Sequence, residues 1–336
     1  MSFKDSLEQK YQANQLPEKI FNITGKLYDS YSASLEAQGF KMADYDHLFD
    51  HLLALVLQQL SNPYDFEHYH KRITSPYNYY QFGIEFIRPL VDKERSYVHL
   101  SENVERIQKQ MALGENAVLF ANHQTEVDPQ LMSLVLEDIY PQLGEEVIFV
   151  AGDRVISDPM AIPFSMGRNL LCIYSKRHID NPPEKKEEKL KHNQKTMHLM
   201  KELLAEGGKL IYVAPSGGRD RPNEQGEVVV APFDSPSIEM FRLMAKQSGK
   251  VVHFYPLSLV TYDILPPPAS VEEALGEARK AKREGALFAF GNEIDMENFP
   301  GSDSADRHEK RNARAMHIWN LVNANYLLLK ERIRSS

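Results

Sequence analysis

Short apolar runs of strand length alternate with segments of helical periodicity over the middle of the chain. Uninterrupted apolar runs are typical of strands that are buried on both faces of a parallel sheet. Their alternation with helices indicates crossover connections. We therefore predict an α/β fold with a mostly parallel central sheet flanked by helices. The predicted strands are residues 117–121, 147–151, 170–174, 209–214 and 251–260, with an edge strand at 286–290.

The first part of the chain has a different pattern. Apolar residues recur at helical spacing after Pro17 and again over residues 42–60, and breaks follow at Asn62-Pro63 and Ser75-Pro76. We predict a small helical bundle domain over residues 1–75 and an α/β catalytic domain over residues 76–336. A long helix over residues 308–333 is expected to end the chain.

Composition limits the classes of partner. The 336 residues carry a formal net charge of -8, which argues against nucleic acid as a partner because phosphate binding needs a basic face. The single cysteine, Cys172, lies in an apolar run and is interpreted as a buried hydrophobe in a protein of a reducing compartment. No apolar run reaches the roughly 18 residues of a spanning helix, and the N-terminus does not resemble a signal peptide. We expect a soluble protein.

The connection after the first predicted strand carries a base and an acid. His123 and Asp128 lie between that strand and an expected helix through about residue 140. Such connections lie at the carboxyl ends of strands, where open α/β sheets bind ligands. An imidazole oriented by a carboxylate is half of a nucleophile-activating apparatus. The alternative is that Asp128 caps its helix and His123 is an ordinary loop histidine. Spacing alone does not choose between them.

Three further strands end in polar loops that should gather at the same edge. These loops hold Asp153 and Arg154, then Arg177 and His178, and then Arg219, Asp220 and Arg221. Arginines on a glycine loop match phosphate oxygens, although pairing with Asp220 would also explain them. The chain has no nucleotide-binding glycine motif, no Gly-x-Ser-x-Gly elbow and no convincing metal spacing, so we expect neither metal nor cofactor. The simplest use of a base beside such a phosphate-binding pocket is to deprotonate a hydroxyl on a phosphorylated small molecule.

The ordered motifs resemble those of a known family. Asn-His-Gln-Thr-Glu-Val-Asp-Pro at 122–129 resembles the His-x4-Asp block of glycerolipid acyltransferases. Together with Val-Ala-Gly-Asp-Arg at 150–154, Tyr-Ser-Lys-Arg-His at 174–178 and Ala-Pro-Ser-Gly-Gly-Arg-Asp-Arg-Pro at 214–222, it resembles the soluble plastid-type and bacterial glycerol-3-phosphate acyltransferases. That family transfers an acyl group from acyl-carrier protein or acyl-coenzyme A to the sn-1 hydroxyl of glycerol 3-phosphate. The product is lysophosphatidic acid, in the first step of phospholipid synthesis.

The resemblance implies a role for each matching residue. His123 would be the general base and Asp128 its orienting partner. The substrate phosphate would bind Arg177, His178, Arg219 and Arg221, with arginine standing at 177 where the family has lysine.

The partners of such an enzyme remain partly open. An acidic carrier protein would need a basic face, offered by Lys185, Lys186, Lys189, Lys191 and Lys195 or by 279–283, although both stretches also read as ordinary solvated helix. Contact with a membrane surface stays open, and the compartment would be the cytoplasm or the plastid stroma. Competing interpretations are a lysophosphatidic acid acyltransferase and a non-catalytic protein that binds phosphate esters or phospholipids.

Overall fold

The computed structural model describes residues 2–175, 179–268 and 278–335. The helices in this part of the chain are α1 Phe3–Gln12, α2 Glu18–Glu36, α3 Asp46–Ser61, α4 Tyr79–Ile87, α5 Ser101–Ala112, α6 Asp128–Leu136, α7 Pro141–Glu146, α8 Ile162–Ser165, α9 Lys186–Glu206, α10 Ser235–Ser248 and α11 Arg307–Ser335. The strands are β1 Tyr69–His70, β2 Tyr97–His99, β3 Asn116–Ala121, β4 Ile148–Gly152, β5 Asn169–Ile173, β6 Leu210–Val213, β7 Arg221–Pro222, β8 Val228–Val229, β9 Val252–Val260 and β10 Leu287–Phe290.

A central sheet organises the molecule. Its strand order among the described residues is β1-β5-β4-β6-β3-β9-β10-β2. The five inner strands from β5 to β9 run parallel, which places their carboxyl ends at one edge. β1 and β10 are antiparallel to their neighbours β5 and β9. The predicted α/β fold with a mostly parallel sheet is confirmed, and β3 lies near its centre.

Successive side chains of β3 pack into two different apolar layers, as the pleat of a strand requires. Ala117, Leu119 and Ala121 belong to the layer that also holds the N-terminal helices. Val118 and Phe120 belong to the layer beneath α9, α10 and α11. All six residues of β3 are buried, which explains the continuous apolar run in the sequence.

The N-terminal helices pack around a group of aromatic rings. Phe3 stacks on Tyr28 at 4.8 Å between ring centroids, and Phe49 meets both Tyr31 and Phe86 within 5.1 Å. The same apolar layer continues into the sheet. The division of the chain into domains at 1–75 and 76–336 stays a prediction.

Several local predictions need correction. Residues 286–290 were expected to form an edge strand, but β10 lies between β9 and the three-residue strand β2, which takes the edge. Ser101 does not cap α5, because the preceding residue Leu100 is the N-cap and has φ of 56° with no side-chain bond. The helix after His123 ends at Leu136, and α7 begins separately at Pro141, where proline restarts the helix.

Two expected core residues face solvent instead. Leu190 of α9 and Leu328 of α11 are 42% and 44% exposed. The buried face of α9 includes Lys189 and Thr196, each of which directly precedes a residue of the predicted apolar stripe. In the described part of the chain, no helix is both long enough and apolar enough to cross a membrane.

Candidate active site

The loop after β3 holds His123 against a buried carboxylate. His123 Nδ1 lies 2.8 Å from Oδ2 of Asp128, and its side chain is 29% exposed where it faces a cavity. A hydrogen bond from Nδ1 to the carboxylate selects the tautomer whose Nε2 can accept a proton. The structure therefore brings together the two residues that the spacing suggested, in the geometry of an oriented base.

Both carboxylate oxygens of Asp128 accept hydrogen bonds from groups outside its own helix. Oδ2 also accepts the backbone N–H of Gln124 at 2.8 Å and of Thr125 at 3.2 Å, and Oδ1 accepts the hydroxyl of Thr261 at 2.7 Å. The residue is 1% exposed, so these donors replace the water that a buried carboxylate would lose. The interpretation of Asp128 as a helix cap is wrong. Val127 is the N-cap of α6, and the carboxylate turns back onto the preceding loop.

Thr261 was missed by the sequence analysis. It follows β9 directly, and β9 pairs in parallel with β3, so the carboxyl ends of the two strands adjoin. The backbone N–H of Thr261 also donates to Oε1 of Gln124 at 2.7 Å. A polar residue at the end of a fifth predicted strand was the available signal, since the same reasoning had selected the other four loops.

A second buried carboxylate, Asp220, ties the arginine loop to the histidine loop. Its Oδ2 accepts side-chain amides of Asn122 at 2.8 Å and Gln124 at 3.2 Å, and its Oδ1 accepts the backbone N–H of Ala231 at 2.9 Å. Its own N–H donates to the carbonyl of His123 at 2.6 Å. Burial raises the pKa of Asp220 to about 6, although these hydrogen bonds act in the opposite direction. The loop segment that carries Arg219 and Arg221 is therefore tied to the loop of His123.

A cavity of about 900 Å³ receives these side chains. The predicted residues on its wall are His123, Asp128, Asp153, Arg154, Arg219 and Arg221. Away from them the cavity is lined mainly by apolar side chains, including Leu27, Leu52, Phe86, Leu90, Phe149 and Leu265. Arg177 and His178 lie outside the described residues. A cavity lined by charged residues and by many apolar side chains suits a phosphate ester and a fatty chain.

Two expectations outside the cavity have clear outcomes. Cys172 is buried, and burial raises the pKa of its thiol to about 12, which confirms the prediction of a structural hydrophobe. The charged stretch 279–283 was considered as a docking face. That interpretation is wrong for Arg279, whose buried side chain binds Glu126 and Asp158.

Comparison with known proteins adds a family to this geometry. Residues 95–260 match the family model described as Acyltransferase. The chain is 38% identical over 331 residues to the chloroplastic glycerol-3-phosphate acyltransferase of Arabidopsis thaliana, covering 98% of this chain and 72% of that protein. It is similar to the chloroplastic enzymes of Spinacia oleracea and Pisum sativum, at 36% and 37% identity. Those two matches cover 97% of this chain and 70% and 72% of those proteins.

The raised pKa of Asp220 predicts a pH-dependent contribution to stability. Because the folded state holds this proton more tightly than the unfolded chain, the contribution is fully present at low pH and is lost as pH rises through about 6. The unmodified protein should therefore lose about 1 kcal/mol relative to Asp220→Asn between pH 5 and pH 7. Urea denaturation of both proteins at the two pH values measures this difference. A difference that is independent of pH would contradict the assignment.

Proposed function

The chain belongs to the family of glycerol-3-phosphate acyltransferases within the acyltransferase superfamily. From this premise we propose that it transfers a fatty acyl group from an acyl thioester to the sn-1 hydroxyl of glycerol 3-phosphate, giving lysophosphatidic acid. The observation that carries the proposal is the pair of His123 and Asp128 on the wall of a cavity that is also lined by arginines and by many apolar side chains.

The proposed reaction is one transfer step. Nε2 of His123 takes the proton from the C1 hydroxyl as its oxygen attacks the thioester carbonyl carbon. The carbon–oxygen bond forms, the carbon–sulfur bond breaks, and the imidazolium returns the proton to the leaving thiolate. Asp128 stabilises the imidazolium through Nδ1 without taking its proton, because the carboxylate already accepts three other donors.

Recognition of the phosphate is assigned to the arginines of the cavity. Arg219 and Arg221 stand on a loop that begins with Gly217 and Gly218, and Asp220 between them anchors the loop to Asn122. Gly217 has φ of 65°, a conformation that favours glycine. Guanidinium groups offer paired donors to phosphate oxygens. By resemblance, Arg177 and His178 complete the phosphate contacts.

The apolar part of the cavity is proposed as the site of the acyl chain. Leu27 of α2, Leu52 of α3, Phe86 of α4 and Phe149 of the sheet all line the cavity. The helices at the start of the chain and the sheet thus both contribute to the space that would hold the fatty chain. An apolar wall of this kind favours a hydrocarbon chain by removing it from water.

The donor and the compartment are proposed at a coarser level. Acyl-carrier protein and acyl-coenzyme A are both retained as donors, because each presents its acyl group as a thioester. The relatives are named chloroplastic, and these names favour the plastid stroma over the cytoplasm. Lysophosphatidic acid as acceptor and a non-catalytic binding role remain the competing functions.

The proposal predicts which acceptor supports thiol release. We expect the protein to release thiol from acyl-coenzyme A or acyl-carrier protein when glycerol 3-phosphate is present, and to form lysophosphatidic acid. The reaction without acceptor is the control, and lysophosphatidic acid as acceptor tests the main competing activity. Thiol release with lysophosphatidic acid as acceptor, but not with glycerol 3-phosphate, would identify the protein as a lysophosphatidic acid acyltransferase. The absence of thiol release with either acceptor would favour the non-catalytic binding role.

The phosphate assignment predicts the effect of removing either arginine. Arg219→Ala or Arg221→Ala should raise the KM for glycerol 3-phosphate roughly 10- to 100-fold, because each loses about 1.5–3 kcal/mol of charge-assisted hydrogen bonding. Arg242→Ala is the control, since Arg242 pairs with Glu239 and Glu297 outside the cavity. An unchanged KM in both Arg219→Ala and Arg221→Ala would indicate that these arginines only form salt bridges with carboxylates.

A further inference from the structure

A buried arginine joins the histidine loop to the segment after β4. Arg279 Nε binds Oε1 of Glu126, and its Nη2 donates to Oε2 of the same carboxylate at 3.0 Å. Nη2 also donates to Oδ2 of Asp158 at 3.1 Å. Glu126 stands inside the loop between His123 and Asp128, and Asp158 precedes α8. The guanidinium thus connects two of the segments that line the cavity.

The charges in this cluster are strongly coupled. Burial lowers the pKa of Arg279, but Glu126 and Asp158 raise it by more, so the net shift is upward and the residue stays charged. One cation thus serves two largely buried carboxylates. Loss of the guanidinium would leave both carboxylates without this counterion beside an anion-binding cavity, a costly arrangement in a poorly hydrated site.

The backbone around Arg279 is anchored away from the cavity. The N–H of Ala281 donates to Oγ of Ser30 at 2.9 Å, and the N–H of Arg283 donates to Oγ of Ser34 at 2.6 Å. Both serines belong to α2. The N–H of Lys282 donates to the carbonyl of Ile264 at 2.9 Å. Because this segment is anchored both to α2 and to Ile264, the guanidinium group of Arg279 can fix the position of the loop that it binds.

We propose that Arg279 is a positioning residue for the acyl transfer. Through Glu126 it fixes the loop that carries His123, so that the imidazole meets the substrate hydroxyl at a productive distance. Arg279 is also the counterion of the Glu126 carboxylate, and this pairing limits the repulsion between that carboxylate and the substrate phosphate. Arg279 acts through Glu126, and no reacting group is assigned to it. The role rests on the proposed function, because it is defined by the reaction that His123 performs.

A charge-preserving substitution separates position from charge. Arg279→Lys keeps a cation but loses the fork that spans Glu126 and Asp158. We expect kcat to fall about 10- to 100-fold, since a displacement of about 1 Å at a catalytic group costs up to 100-fold, while the KM for glycerol 3-phosphate stays within about threefold. The matched control is Arg283→Lys on the same segment. Arg283 pairs with Asp92 at 3.1 Å and is outside the cavity lining, so kcat should not change.

A second variant tests the route through Glu126. Glu126→Gln should lower kcat to a similar degree, and the double variant with Arg279→Lys should lose little more, because both changes break the same link. It also keeps the inference testable if Arg279→Lys fails to fold. A kcat within twofold of the unmodified protein in Glu126→Gln, or in a folded Arg279→Lys, would overturn the role.

Hydrogen exchange gives a readout that does not depend on turnover. In the peptide 122–128, amides including those of Gln124 and Thr125 should exchange about 10-fold faster in Arg279→Lys or Glu126→Gln, and at the unmodified rate in Arg283→Lys. Unchanged exchange in folded Arg279→Lys and Glu126→Gln would overturn the proposed role of Arg279 even if kcat fell. If the unmodified protein releases no thiol with glycerol 3-phosphate, the proposed function fails, and this exchange still decides whether Arg279 fixes the loop.

Discussion

The buried carboxylate of Asp128 is the contact on which the site depends. It accepts Nδ1 of His123, two backbone N–H groups of the same loop and the hydroxyl of Thr261 at the end of β9. A carboxylate that is 1% exposed has almost no contact with water, and these donors supply its hydrogen bonds instead. The same set of bonds that satisfies it folds the loop back, selects the tautomer of the imidazole and joins the loop to the neighbouring strand.

The rest of the site repeats this use of buried acids as anchors. Asp220 accepts amide donors from Asn122 and Gln124, and so fixes the arginine loop beside the histidine loop. Glu126 does the same on the other side, through Arg279. The loop after β3 is thus held by groups from three separate parts of the chain. If His123 is the base, as we propose, an imidazole held in this way needs little reorganisation to meet its substrate.

The features that the sequence predicted well were those with a local cause. Strands buried on both faces leave continuous apolar runs, so the ends of the five inner strands were predicted to within one residue. Strands of two or three residues, such as β1 and β2, are too short to leave a period, and the order of strands depends on long-range pairing. His123 and Asp128 were found because they share one loop. Thr261 was missed because its partner is 133 residues away in sequence. Arg279 was taken for surface charge because a charge run does not reveal burial.

The substitution His123→Ala is the sharpest test of the proposed role of His123 as the base of the acyl transfer. The measurement is kcat for thiol release together with calorimetric binding of glycerol 3-phosphate to the same variant. We expect kcat to fall by at least about 100-fold, as the loss of a general base requires, while Kd stays within about threefold because the phosphate contacts remain. A near-normal kcat in this variant would show that His123 is not the base.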